Sequence, residues 1–76
     1  MDKSEALSLI KELVNRNLIH PLFLSIEKAE HGNYNLVVKI NGDKSTLNEI
    51  QKFVVERQLL LYEDKARGNC IICRKK

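Results

Sequence analysis

The sequence predicts an α+β fold, a two-layer sandwich in which two helices cover one face of a four-stranded antiparallel sheet. Apolar residues recur at helical spacing in residues 3–18 and again in residues 45–58. Four other segments have the period-two alternation or the β-branched composition of strands. The order along the chain is α-β-β-α-β-β, and we predict a single domain over residues 1–76.

The first helix is predicted near residues 4–19. Its apolar stripe consists of Ala6, Leu7, Ile10, Leu13, Val14 and Leu18. Asp2, spaced D-x-x-E with Glu5, and Ser4 are both candidates for the residue that caps its start. Pro21 prevents continuation because proline has no amide proton to donate and disfavours a helical conformation at the preceding residue.

A β-hairpin is predicted after this helix. Residues 22–30 and residues 34–41 each alternate with period two. The side predicted to face the helices carries Leu22, Leu24, Ile26, Leu36, Val38 and Ile40. The intervening letters HGN form a loop in which Gly32 or Asn33 can adopt a positive φ.

The second half of the chain repeats the helix–hairpin pattern. Thr46 and Glu49, spaced T-x-x-E, predict a capping box at the start of a helix over residues 45–58. The residues that this helix buries are predicted to be Leu47, Ile50, Phe53 and Val54. Strands are predicted at residues 59–64 and 70–76, joined by the turn ARGN. Their side facing the helices is predicted to carry Leu60, Tyr62, Cys70 and Ile72.

The two halves, residues 3–41 and 45–76, align when the turns Gly32-Asn33 and Gly68-Asn69 are superimposed, which indicates a possible repeat. Two such units can join their hairpins into one sheet of order 3-4-2-1. This is a ferredoxin-like sandwich whose first strand has moved to the end of the chain. Contacts between residues 34–41 and 70–75 would distinguish it from separate hairpins or a winged helix.

Residues 34–76 resemble the C-terminal half of the TusA/SirA sulfur-carrier family in the order of their elements: a strand, a polar break, a helix and a hairpin that ends in basic residues. That family is marked by Cys-Pro-x-Pro at the start of its first helix, which follows a strand. Here the first helix opens DKSEAL and no strand precedes it. The resemblance therefore implies topology alone, and no sulfur-carrying cysteine is transferred.

Composition is typical of a soluble globular domain, with 43% hydrophobic residues, 30% charged residues and a net charge of +3. No apolar run approaches the roughly 18 residues that span a bilayer, and the opening MDKSEALSLI lacks the pattern of a signal peptide. Two cysteines without a secretory signal predict a cytoplasmic location. The positive excess lies in residues 65–76, which hold five cations and no acid.

Cys70 and Cys73 have the C-x-x-C spacing of a zinc knuckle or a redox pair. The residues between them are Ile71 and Ile72, which favour an extended strand. Residues three apart on a strand point to opposite faces, so this pair is poorly placed for a shared metal or a disulfide. A role in packing is the favoured interpretation, with metal binding and thiol chemistry as the alternatives.

No catalytic site is predicted. His20 and His31 have no nucleophile at a recognisable spacing, and the three glycines are isolated rather than grouped in a phosphate-binding loop. The adjacent Glu63 and Asp64 would point to opposite sides of a strand. We therefore expect a protein that is not an enzyme and that holds no metal or cofactor.

The sheet face turned away from the helices is the predicted interaction surface. Its apolar residues are predicted to be Phe23, Val37, Leu61, Ile71 and Cys73, enough to mark an interface. The favoured hypothesis is a protein-interaction module that binds itself, as a dimer, or another protein through this face. The alternative is a nucleic-acid-binding domain that uses the same face and phosphate contacts from the basic end. Those contacts would come from Lys65, Arg67, Arg74, Lys75 and Lys76.

Overall fold

The structure is a computed structural model and describes residues 1–74. Its helices and strands are α1 (Lys3–Asn15), β1 (Leu24–Lys28), β2 (Tyr34–Lys39), α2 (Lys44–Glu56), β3 (Leu59–Asp64) and β4 (Asn69–Arg74), with short 3₁₀ turns at Pro21–Phe23 and Glu30–Gly32. The strands form one antiparallel sheet in the order β1-β2-β4-β3. The predicted α+β class is confirmed, and the strand order is the predicted one, counted from the opposite edge.

The pairing of β2 with β4 holds the two hairpins in one sheet. Leu36 lies opposite Ile72 and Val38 lies opposite Cys70, and all four side chains are buried beneath the helices. The pairing is extended past the end of β2, where the amides of Ile40 and Asn41 both donate to the carbonyl oxygen of Gly68 at 2.9 Å. The predicted contact between residues 34–41 and 70–75 is therefore present.

Helix α1 begins at an aspartate cap. The amide of Glu5 donates to Oδ1 of Asp2 at 2.7 Å, so Asp2 rather than Ser4 satisfies the free amides of the first turn. The buried side chains of the helix are Ala6, Leu9 and Leu13. The prediction for Leu7 is wrong, because the buried stripe is rotated toward Leu9 and leaves Leu7 46% exposed.

Helix α2 also begins at an aspartate. Asp43 accepts a hydrogen bond from the amide of Thr46 at 3.0 Å and another from its hydroxyl at 2.6 Å. The predicted capping box is therefore displaced by three residues, since Thr46 donates to the cap instead of forming it. The prediction of the buried face is confirmed for Ile50, Phe53 and Val54.

Ion pairs link the C-terminal ends of the two helices. Nε of Arg57, just after α2, donates to Oε2 of Glu12 in α1 at 3.1 Å, and Arg16 lies 3.3 Å from the same carboxylate. Both guanidinium groups also lie over the ring of Phe53, at 4.8 Å for Arg57 and 5.6 Å for Arg16. Phe53 is 1% exposed, so these cations cover an edge of the core.

Strand β1 is shorter than predicted. Residues 21–23 form a 3₁₀ turn that is capped by His20, whose Nδ1 accepts from the amide of Leu22 at 3.1 Å. The strand therefore starts at Leu24, and Leu22, predicted to face the helices, is 83% exposed. Phe23 also lies outside the strand and is 45% exposed.

Strand β3 has the opposite phase to the predicted one. Leu61 pairs with Ile72 and Tyr62 pairs with Ile71, and paired residues project from the same side of a sheet. Leu61 consequently faces the helices and packs against the core. Leu60 and Tyr62, predicted to face the helices, project from the other side. A shift of one residue moves every side chain of a strand to the other face.

Neither helix among residues 1–74 has the length and hydrophobicity of a membrane span.

Candidate functional site: the helix-free sheet face

The face of the sheet opposite the helices, here called the open face, is the candidate site. Its residues are those that alternate with the buried Leu36, Val38, Cys70 and Ile72 or pair with residues that do. They are Ser25 and Glu27 on β1; Asn35, Val37 and Lys39 on β2; Asn69, Ile71 and Cys73 on β4; and Leu60, Tyr62 and Asp64 on β3.

Strand register arranges the open face in three rows that run across the sheet. The middle row consists of Ser25, Val37, Ile71 and Tyr62. The Glu27 row consists of Glu27, Asn35, Cys73 and Leu60. The Lys39 row, next to the β3–β4 turn, consists of Lys39, Asn69 and Asp64.

The centre of the open face is apolar. Val37, Ile71, Cys73 and Leu60 are half-buried, and Tyr62 on the edge strand is 55% exposed. Within residues 1–74 both helices pack on the other face, where they share one core with the sheet. The open face therefore presents adjoining apolar side chains to solvent.

The structure brings together three of the five residues predicted for the interface. Val37 and Ile71 are directly paired, and Cys73 is two residues further along β4 on the same face. Phe23 lies at the rim, where it lines a shallow depression with Val37 and Lys39.

The fifth residue, Leu61, is a correction, since it packs into the core. Leu60 and Tyr62 occupy the face in its place. Alternation could not have found them because residues 59–61 are three consecutive leucines. The remaining signal in the sequence for the phase of β3 was the length of the turn before Asn69, because that length determines which residues of β3 and β4 pair.

The predicted basic end is divided by the hairpin. Lys65 and Arg67 lie in the β3–β4 turn, and Nε of Arg67 is 3.8 Å from the Asp64 carboxylate. Arg74 lies at the far end of β4, about 17 Å away at 3.3 Å per residue, where it is paired with Glu5 of α1. The described cations therefore do not form a single patch. Lys75 and Lys76 lie outside the described residues.

The two cysteines occupy different environments. Cys70 is 2% exposed beneath the helices, and burial, together with the nearby Glu63 carboxylate, raises the pKa of its thiol. Cys73 is half-buried on the open face. Because the side chains project from opposite faces, they are not arranged as a shared site. No group of three or more His, Cys, Asp or Glu side chains in residues 1–74 could hold a metal ion.

The two histidines lie in turns at the two ends of β1. His20 caps the 3₁₀ turn before β1, and its ring lies edge-on to that of Phe23 at 6.2 Å between centroids. His31 lies in the β1–β2 turn with a φ of 57°. Asn33 has a φ of −84°, so the positive φ values of this loop fall on His31 and Gly32.

Fold and face together define the class of this protein, a small α+β sandwich with one uncovered sheet face that has an apolar centre. Comparison of the chain with protein-family models, with curated proteins and with solved structures found no match. The open face is therefore the part of the molecule from which we infer a function.

Proposed function

We propose that this protein is a small non-enzymatic interaction module that binds a second copy of itself through the open face. The observation that supports this is the contiguous group Val37, Ile71, Cys73, Leu60 and Tyr62 on a face that neither helix covers. Adjoining exposed apolar side chains favour association, because a partner that covers them removes apolar surface from water. We further propose that the sandwich is a permuted ferredoxin-like fold, which the order β1-β2-β4-β3 supports, and that the protein acts in the cytoplasm.

The size of the open face sets the expected affinity. Four strands about 4.8 Å apart and five or six residues long give a face of about 350 Å² per copy, or about 700 Å² in a dimer. This area is smaller than the roughly 1,000 Å² that specific stable interfaces usually exceed, so we expect a weak dimer. If about half of this surface is apolar, its burial contributes about 9 kcal/mol, against association costs of at least about 4 kcal/mol. With an association cost of about 4 kcal/mol, the low end of that range, the net gain of about 4–5 kcal/mol corresponds to a Kd of about 0.1–1 mM.

Sedimentation of matched variants tests the proposal. The mass of the wild-type protein should rise toward that of a dimer as the concentration approaches about 1 mM. Val37→Lys places a charge in the centre of the face and should give a monomer that keeps its circular dichroism spectrum. Val55→Lys is the control, because Val55 is 75% exposed on α2 and should leave association unchanged. A wild-type mass that does not vary with concentration, or equal effects of the two lysines, would contradict the proposal.

Nucleic-acid binding is a second candidate because of the position of Tyr62. Domains that bind single-stranded RNA on a sheet face stack its bases on exposed aromatic side chains. Tyr62 is 55% exposed and Phe23 is 45% exposed, at opposite edges of the open face. Titration with single-stranded RNA at low salt would then shift NMR signals of Tyr62 and Lys39, and the affinity would fall as salt rises. Absence of shifts on this face would exclude the second candidate.

A further inference from the structure

We propose that the second copy docks with its strands antiparallel to those of the first, about a dyad that crosses the strands through the middle row. We also propose that Glu27 and Lys39 select this arrangement. The inference rests on the proposed function, since it requires the open face to be the dimer interface. It adds the orientation of the partner and the residues that determine it.

Two charges on the open face are unmatched. Glu27 and Lys39 form no ion pair with any other residue in the described part of the chain, whereas Asp64 lies beside Arg67. Glu27 pairs with Asn35 across the β1–β2 ladder, and Lys39 is four residues beyond Asn35 on β2. The two opposite charges are therefore about 13 Å apart along the strands, one on each side of the apolar middle row.

Symmetry limits how two such faces can meet. Sheets packed face to face usually keep their strands within about 30° of parallel or antiparallel, and the dyad of a two-fold dimer lies in the plane between the sheets. The dyad can therefore run along the strands or across them. In an isologous contact each residue meets the same partner in both directions, so every favourable or unfavourable charge contact occurs twice.

A dyad along the strands leaves Glu27 without a partner. It exchanges the two edges of the sheet while keeping each row on itself, so Glu27 would lie over Leu60 of the second copy and Lys39 over Asn69. Lys39 would lie one strand spacing from Asp64 of the second copy, a carboxylate that already lies beside Arg67. Glu27 would lose part of its hydration with no opposite charge within reach. Removing a charge from water without a partner is costly.

A dyad across the strands pairs the two charges. It places each Lys39 row over the Glu27 row of the second copy, so Lys39 lies over Asn35 and one strand spacing, about 4.8 Å, from Glu27. Sheets packed face to face are about 10 Å apart, a gap that extended lysine and glutamate side chains span together. The middle rows then lie over each other, with Val37 on Val37 and Ile71 on Ile71. The symmetric contact contains two Glu27–Lys39 pairs.

Charge reversal with mixing tests this arrangement. Glu27→Lys alone places lysine against lysine at both pairs, and Lys39→Glu alone places glutamate against glutamate. At low salt, where these pairs are least screened, each variant should associate about tenfold more weakly than the wild type, since two attractive contacts become repulsive. An equimolar mixture of the two variants restores opposite charges at both pairs and should associate about as strongly as the wild type. The double variant carrying both reversals should do the same.

A control and two contrary outcomes complete the experiment. Lys11→Glu changes the net charge as much as Lys39→Glu but lies on the exposed surface of α1, and it should have no effect. If Val37→Lys abolishes association but the mixture does not recover it, the open face is the interface and the proposed orientation is wrong. If the wild-type protein stays monomeric at about 1 mM, the proposed function and this inference both fail.

Discussion

Ile72 and Ile71 are identical neighbours on opposite faces of β4, and their replacement by alanine should have very different effects on stability. Ile72 is 0% exposed, lies between Leu36 and Leu61 in the ladder and contacts the core beneath both helices. Ile71 is half-buried on the open face, between Val37 and Tyr62. Ile72→Ala therefore leaves a cavity, whereas Ile71→Ala removes surface contacts.

The expected magnitudes differ severalfold. A fully buried isoleucine replaced by alanine usually costs 2–5 kcal/mol, so we expect about 3 kcal/mol for Ile72→Ala. For Ile71→Ala we expect about 1 kcal/mol, from lost strand propensity and partial burial. A chain of this length has a free energy of unfolding of roughly 4–11 kcal/mol, so the loss at Ile72 is a large part of the total.

Urea unfolding followed by circular dichroism measures both changes. With a slope of about 1 kcal/mol per molar urea, the midpoint should fall by about 3 M for Ile72→Ala and about 1 M for Ile71→Ala. Both proteins are measured at concentrations where the wild type is monomeric, so that a dimer contact of Ile71 does not contribute. Equal shifts, or a larger shift for Ile71→Ala, would refute the register of β4 and with it the composition of the open face.

Three other predictions follow from local geometry. Asp43→Ala should destabilise α2, because it removes the acceptor that caps the helix. Hydrogen bonds from Thr46 lower the pKa of Asp43, so the stabilisation by this cap is present above the usual aspartate pKa and is lost as the pH falls through the lowered value. Acid titration of the stability of the wild type and the variant should therefore show a difference that disappears at low pH. Gly68→Ala should lower the urea midpoint, since its φ is +68° and an added Cβ would lie 2.9 Å from Oδ1 of Asn41. Cys73 should react with iodoacetamide before Cys70, whose thiol is buried and has a raised pKa; mass spectrometry of the labelled peptides would contradict this if both reacted at the same rate.

Much of the fold could be predicted because its signals are local. Ile50, Phe53 and Val54 fall on one side of a helix of 3.6 residues per turn together with Leu47, and this stripe outweighs the single exposed Val55. Leu36 and Val38 lie on the side of β2 opposite the polar Asn35 and Lys39, which sets the inner face of a central strand. Joining these elements into one sheet needed only the rule that hairpins combine into a single layer.

The errors occur where the sequence is apolar on both sides. Residues 59–61 are all leucine, so either phase of β3 buries at least one of them, and the pairing with β4 decides which. In α1, Leu7 and Leu9 are equally hydrophobic, and the sheet beneath the helix selects Leu9. Local periodicity cannot resolve such choices, because tertiary pairing sets them.

The position of the candidate site could be predicted from the sequence, but its full set of residues could not, because that set also depends on how the strands pair. In a helix–hairpin repeat both helices cover the same side of the sheet. Apolar strand residues that alternate with the covered ones therefore lie on the other side, where no helix packs. Val37, Ile71 and Cys73 follow from that argument, whereas Leu60 and Tyr62 depend on the phase of β3. Cations that are close in sequence, such as Arg67 and Arg74, are separated because a strand of six residues lies between them. Cations far apart in sequence lie near each other instead: Lys39 and Arg67, from different hairpins, line one depression at the rim of the open face. A surface of this fold is therefore defined by strand register, and the Ile71 and Ile72 variants test that register directly.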